Sequence, residues 1–198
     1  MAASGVIKLE RSYFREEERG SDLFLFSKTI NIAANLLAMK KVLNPYIGQD
    51  GYGCIGCDPN HPFGLKLSFT FDEDEKIIYA EWTPNSDFQG YTDVVHGGVQ
   101  ATLLDEIGGW AVNTILGTGG VTSQLQIRYK KPAQISDGPL KLKAWLISSE
   151  KRLANIQTQL FNAKDELCAE AQVQYFIFLP EVAKQRLNFP GAEEFFEE

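Results

Sequence analysis

The stretch GGVQATLLDEIGGWAVNTIL, Gly97 to Leu116, decides the fold. Val99, Leu103, Ile107, Trp110, Ala111 and Ile115 fall on one face of a helix drawn through it. Ala101, Leu104 and Val112 make the other side apolar too. A helix apolar nearly all round must be buried, so it is expected inside a curled antiparallel sheet. Gly108 and Gly109 each cost about 1 kcal/mol relative to Ala in a helix interior. Their presence predicts that some neighbouring element comes very close to the helix.

Strand patterns lie on both sides of this helix. Leu65, Leu67, Phe69 and Phe71 alternate with Lys66, Ser68 and Thr70, the signature of a half-buried strand. The acidic run Asp72-Glu73-Asp74-Glu75 reads as a turn into a second strand, Ile77 to Trp82, making a hairpin. After the helix, Leu125, Ile127 and Tyr129 alternate with polar residues, and strands are expected over Leu140–Ile147, Ile156–Phe161 and Leu167–Leu179. Asp137-Gly138-Pro139 and Asn162-Ala163-Lys164-Asp165 supply turns. Strands that follow one another without intervening helices pair antiparallel. The fold class is α+β.

The ends differ from this middle. In residues 1–47 the segment SKTINIAANLLAMKKVLNPY places Ile32, Leu36, Met39 and Leu43 at helical spacing, with Ser27 or Asn31 as a cap and Pro45 and Gly48 as stops. A helical extension over 1–47, a main domain over 48–180 and a frayed acidic tail over 181–198 are expected. The chain's 198 residues suit one domain. Its 26 acidic against 19 basic residues give a net charge of −7, a poor basis for non-specific nucleic-acid binding. The longest apolar run near the N-terminus, Ile32–Met39, falls far short of the ~20 residues of a membrane span, and no secretory h-region is visible. Three cysteines argue against a disulfide framework. A cytoplasmic protein without membrane or nucleic-acid partners is the expectation.

The chemistry concentrates where the buried helix begins. His96 ends a loop, and Gly97 and Gly98 open the helix. Free N–H groups and the positive end of the macrodipole make such a start suitable for an anion or a developing oxyanion. Asp105 sits mid-helix among apolar residues, where a carboxylate is costly unless paired or working. Desolvation there is expected to raise its pKa, as suits a general base. Glu106 points about 100° away on the helix wheel and is expected to be solvated or structural. Asp105 lies about 12 Å along the helix from Gly97 at 1.5 Å per residue. That is too far for both to act on one carbonyl from the same helix. If they serve one reaction, Asp105 comes from a second subunit, and a two-fold dimer holds two such sites.

The runs VVHGGVQATLLDE and GVTSQLQIRYKKPA closely resemble the PaaI-type acyl-CoA thioesterases of the hotdog superfamily, over about residues 50–180. The resemblance implies a hotdog fold, an acyl-CoA substrate, a homodimer or tetramer, and no cofactor beyond the coenzyme A of the substrate. It implies that the Gly97 N–H polarises the thioester carbonyl. The partner's Asp105 acts on water as general base, or attacks as nucleophile. His96 helps place the thioester, and Thr122 orients the carboxylate or the water. Gly98 belongs to the same backbone cradle. Some members carry an amide side chain six residues before the His; here that position is Gly90, and the neighbouring Gln89 takes the role. The anionic half of coenzyme A needs cations, and Arg128, Lys130, Lys131, Lys151 and Arg152 are the candidates. A non-catalytic acyl-CoA sensor is the rival reading, against which the mid-helix Asp105 counts. Cys54-Ile-Gly-Cys57 with His61 has the look of a metal site. A structural zinc takes four ligands and only Cys168 is left, so a turn with free thiols and no metal is expected.

Overall fold

A computed structural model describes residues 39–197. Seven strands form one sheet: β1 (Met39–Val42), β2 (Phe69–Asp72), β3 (Ile77–Trp82), β4 (Gly120–Tyr129), β5 (Leu140–Glu150), β6 (Leu153–Phe161) and β7 (Leu167–Ile177). Their spatial order is β1-β2-β3-β5-β6-β7-β4, and every neighbouring pair is antiparallel. The long helix α1 (Gly97–Leu116) packs on β3, β4, β5, β6 and β7, and a short helix α2 (Pro180–Leu187) follows the last strand. This is the hotdog arrangement, a curled antiparallel sheet around one helix.

Alternation decides which sheet face meets α1. Leu140, Leu142 and Ala144 of β5, Ala154, Ile156, Thr158 and Leu160 of β6, and Ala169, Ala171, Val173 and Tyr175 of β7 are all buried. Leu103, Leu104 and Ile107 of the helix are fully buried against them, each worth about 1.5–3 kcal/mol. Small residues lie in register at the centre, Thr158 opposite both Ala144 and Ala171, and they let the helix settle deep into the sheet. At Gly108 an added Cβ would stand 2.5 Å from the Tyr175 hydroxyl and 3.3 Å from Thr158 Cγ2. Gly108 is therefore where the sheet comes close. At Gly109 an added Cβ meets no atom within 4 Å; that glycine opens onto a cleft.

The connections use local side-chain chemistry. Asp72 Oδ1 accepts the N–H groups of Asp74 and Glu75, both at 3.0 Å, so the acidic run between β2 and β3 is an Asx turn. Lys151 and Arg152 form the two-residue turn between β5 and β6, with Lys151 at φ 56°. Asn162 Oδ1 accepts from Lys164 N and Glu166 N and closes the β6–β7 turn.

Three expectations need correction. The helix expected to run through Met39 and Leu43 does not: Met39–Val42 is a strand, with Met39 opposite Asp72 and Val42 opposite Phe69. Pairing to an exposed sheet edge outweighs a helical spacing of only four apolar residues, and the domain extends back to residue 39 rather than starting at 48. Residues 27–38 of that expected helix lie outside the described residues. The strand expected from Leu65 starts at Phe69. Leu65 N and Leu67 N donate instead to Ile55 O and Gly56 O, at 2.7 and 2.9 Å, with Lys66 between them at φ 56°. The acidic tail does not fray. After α2, Phe189 and Phe195 are buried, and Phe195 lies 5.6 Å from the Trp110 ring and 5.9 Å from Tyr46. Leu43 N donates to Phe195 O at 2.9 Å. Glu193, Glu194 and Glu197 are exposed around it, so a count of charges hides one inward aromatic anchor.

Two outcomes follow from this packing. Phe195→Ala should lower unfolding stability by about 3–5 kcal/mol, read as a shift of the denaturation midpoint at unchanged slope. Gly108→Ala should destabilise by roughly 1–3 kcal/mol, although Ala is the better helix former by about 1 kcal/mol. A stabilised Gly108→Ala variant would contradict the close approach of Tyr175.

Candidate functional site

The loop before α1 is tied down from both sides. His96 N donates to Phe88 O, Val95 N to Ala133 O, and Ile135 N to Asp93 O. The Asp93 carboxylate accepts from Ser136 N at 2.8 Å and Ser136 Oγ at 2.6 Å. These bonds hold the Asp93 carboxyl below its usual range, the Ser136 hydroxyl contributing most. His96 is the N-cap residue of α1: its Nδ1 accepts the Gly98 N–H at 2.9 Å, and its carbonyl accepts from Gln100 N. With Nδ1 accepting, the neutral ring carries its proton on Nε2, as a donor. Gly98 N–H is thus occupied, and the Gly97 N–H has no acceptor among the described residues. With the Val99 N–H, it is one of two first-turn donors left free among the described residues.

A cleft of about 520 Å³ lies in front of this N-terminus, lined by Gly90, Tyr91, His96, Gly97, Gln100, Tyr129, Lys130 and Lys131 among others. Two of these residues escaped the sequence reading. Tyr129, at the end of β4, donates its hydroxyl to Gly97 O at 2.8 Å, fixing the first turn. Gln100 is buried, and its Nε2 donates to Val95 O at 2.9 Å, while its Oε1 has no partner among the described residues. A buried acceptor left unpaired costs about 1–3 kcal/mol. Gln100 falls one residue from Val99 and three from Leu103, on the part of the helix that packs inward; a polar residue there was the available signal.

Asp105 faces a different cleft, of about 390 Å³, lined among others by Tyr46, Tyr52, Cys54, Glu106, Gly109, Thr122 and Tyr175. Its Oδ1 accepts from Thr122 Oγ1 at 2.8 Å and from the Tyr175 hydroxyl at 3.0 Å; that hydroxyl also lies 2.6 Å from Asp105 O. Asp105 is only partly buried, so the full desolvation expected from its apolar neighbours is not realised. Tyr175 is the missed partner. Burial first, then the Asp105 carboxylate, pushes its phenol well above the ordinary value, so it stays protonated and stays a donor. One carboxylate oxygen is held by two hydroxyls.

The other predicted residues divide. Thr122 meets Asp105, and His96, Gly97, Lys130 and Lys131 share the first cleft. Lys130 pairs with Glu170 at 3.0 Å and Lys131 with Glu166 at 2.6 Å. Both pairs are exposed enough to break for a phosphate at little cost. Gln89 does not line the cleft: its Oε1 accepts from Asp93 N at 3.4 Å, while Gly90 takes the lining position beside His96. Arg128 lines a groove on the sheet with Gln126, Trp145 and Glu170. Lys151 and Arg152 lie at the other end of the sheet, with the Arg152 guanidinium 6.0 Å from the Phe176 ring centre. Phe176 is opposite Val121, so that turn stands near Thr122 and roughly 25–30 Å of β4 from Lys130.

The Cys54–Cys57 loop packs on the far side of Asp105's neighbour. The Cys54 thiol stands 3.5 and 3.6 Å from the two Glu106 carboxylate oxygens, and Trp110 Nε1 donates to Glu106 Oε1 at 3.0 Å. An added Cβ on Gly56 would collide with Glu106. All three cysteines are free thiols.

Residues 92–169 match the family model of the thioesterase superfamily. The chain is 31% identical over 86 residues to the Saccharolobus solfataricus protein named Putative esterase SSO1253, covering 43% of this chain and 56% of that relative's length. Among solved structures, protein RHA08564, a thioesterase superfamily protein, aligns with a TM-score of 0.58 at 23% identity, over 85% of this chain and 81% of its own. The BH2602 protein from Bacillus halodurans, solved with CoA, aligns at 0.52 and 26% identity, over 58% of this chain and 76% of its own. Thioesterase HI1161 from Haemophilus influenzae aligns at 0.53 and 20% identity, over 58% and 79%. Residues 39–197 thus form a hotdog domain, and residues 92–169 of it, around the central helix, are similar to the thioesterase superfamily.

Proposed function

We propose that the protein hydrolyses acyl-CoA thioesters at a site shared between two copies of the chain. One observation carries this reading: the free Gly97 N–H and the Asp105 carboxylate open into separate clefts of one protomer. They can serve one carbonyl only if the Asp105 cleft of one copy faces the Gly97 cleft of another. Strand β4 contributes Thr122 to one cleft and Tyr129 to the other, and it is a sheet edge whose residues are mostly exposed. Pairing of two β4 edges about a two-fold axis brings unlike clefts together. The CoA-bound Bacillus halodurans relative and the superfamily match support CoA as the carrier, and the motif supports the PaaI-type subclass.

In this reading the thioester oxygen takes the Gly97 N–H, and charge developing there meets the positive end of α1. The partner's Asp105, aligned by Thr122 and Tyr175, removes a proton from water, which attacks the carbonyl carbon; the C–S bond breaks and the CoA thiolate leaves. Direct attack by the carboxylate, followed by hydrolysis of the anhydride, uses the same placement. His96 Nε2–H and the unpaired Gln100 Oε1 offer the bound amide-bearing arm a donor and an acceptor. Lys130 and Lys131 from one copy, with Lys151 and Arg152 from the other, take the phosphates.

Free-thiol release from short, long and aromatic acyl-CoAs is the direct test. Asp105→Asn should lower kcat about 10²–10⁴-fold with KM little changed. Tight acyl-CoA binding without turnover by the wild type would instead establish the sensor. Tyr175→Phe should cost about 10-fold in kcat, the worth of one hydrogen bond to a charged group. Sharing of the site is tested separately. Asp105→Asn and Gly97→Val are each expected to be inactive, and co-refolding them should restore about a quarter of wild-type turnover through heterodimers with one intact site. No recovery would mean that each copy carries its own complete site.

A further inference from the structure

We propose that Cys54, Cys57 and Glu106 bind a zinc-type divalent cation on the wall of the cleft that also holds Asp105. The three donor groups converge from two elements fifty residues apart, and their ligand atoms all lie within 4.8 Å of one another. Ligands of a tetrahedral zinc sit at ~2.3 Å for thiolate and ~2.0 Å for carboxylate, so two such atoms stand roughly 3.5 Å apart. The Cys54 sulfur and the Glu106 oxygens are at 3.5 and 3.6 Å.

The surroundings suit a Cys54 thiolate and a fixed carboxylate. Gly56 N–H donates to Cys54 Sγ at 3.3 Å, a bond that favours sulfur carrying negative charge. Trp110 N–H holds one oxygen of Glu106, the outer support that ligating carboxylates need. Asn44 Nδ2 donates to Cys57 O at 3.1 Å and anchors the loop. Gly56 lets the loop approach Glu106 closely enough to share an ion. Two thiolates select a soft or borderline cation over magnesium or calcium. All three groups line the cleft that also holds Asp105, so a fourth ligand would be water or an exchangeable group. His61 is not part of the cluster: its Nδ1 accepts from Phe63 N. Cys168 lies elsewhere, against Pro132 and Glu166. The expectation of plain thiols rested on the lack of four ligands in the sequence pattern; the fold adds Glu106 as a third donor beside the two thiols. The ion ties the 52–67 loop to α1 one residue from Asp105.

Full-length protein, reduced and stripped with a chelator, is titrated with cobalt(II) and then zinc. One equivalent per chain should bind, giving thiolate-to-cobalt charge transfer and the intense visible bands of a tetrahedral ion, both displaced by zinc. Cys54→Ser should abolish the charge-transfer band, and Glu106→Gln should weaken binding at least ~10-fold, each with an unchanged circular dichroism spectrum. Glu106→Gln keeps both thiols, so it separates the three-ligand site from a simple dithiol chelator. The proposal is overturned if the wild type binds no more cobalt than Cys54→Ser, if Glu106→Gln binds as tightly as the wild type, or if the native protein carries a Cys54–Cys57 disulfide that survives a cytosolic glutathione buffer. The readout is binding, so inactivity toward acyl-CoAs leaves it standing.

Discussion

The contact between Tyr175 and the α1 backbone at Gly108 is the constraint on which the rest depends. A phenol can reach Asp105 only because position 108 carries no side chain. Small residues at 144, 158 and 171 complete the depression in the sheet. The same closeness that packs the helix also orients the Asp105 carboxylate, so packing and the placement of that group share a single geometric requirement.

Much of the site is determined at the helix start. The His96 ring caps the helix by taking the Gly98 N–H, which leaves the neighbouring Gly97 donor unused. The Tyr129 hydroxyl steadies the carbonyl of the same residue. The loop leading in is held by Asp93 and Ser136. Such a donor needs little reorganisation when charge appears opposite it, which is the condition for electrostatic stabilisation of a transition state.

The helix, the following four strands, the turn at residues 162–165 and the HisGlyGly opening were legible because each rests on local periodicity or local turn chemistry. What escaped depends on distance along the chain. Tyr175 meets Asp105 across 70 residues, Tyr129 meets Gly97 across 32, and Cys54 meets Glu106 across 52. No window of sequence contains such pairs. Strand β1 and the burial of Phe195 were hidden for another reason: each is a short segment whose state is set by an unfilled edge or hollow elsewhere.

Gly108 and Gly109 are adjacent, yet opposite in tolerance. The first has no room for a methyl group; the second has nothing within 4 Å and borders the Asp105 cleft. A methyl group placed at 109 meets no described atom within 4 Å and sits at the cleft wall. The volume next to the carboxylate can therefore be altered there by a small side chain without a clash. A family built on this helix can diversify what it accommodates while its architecture stays unchanged.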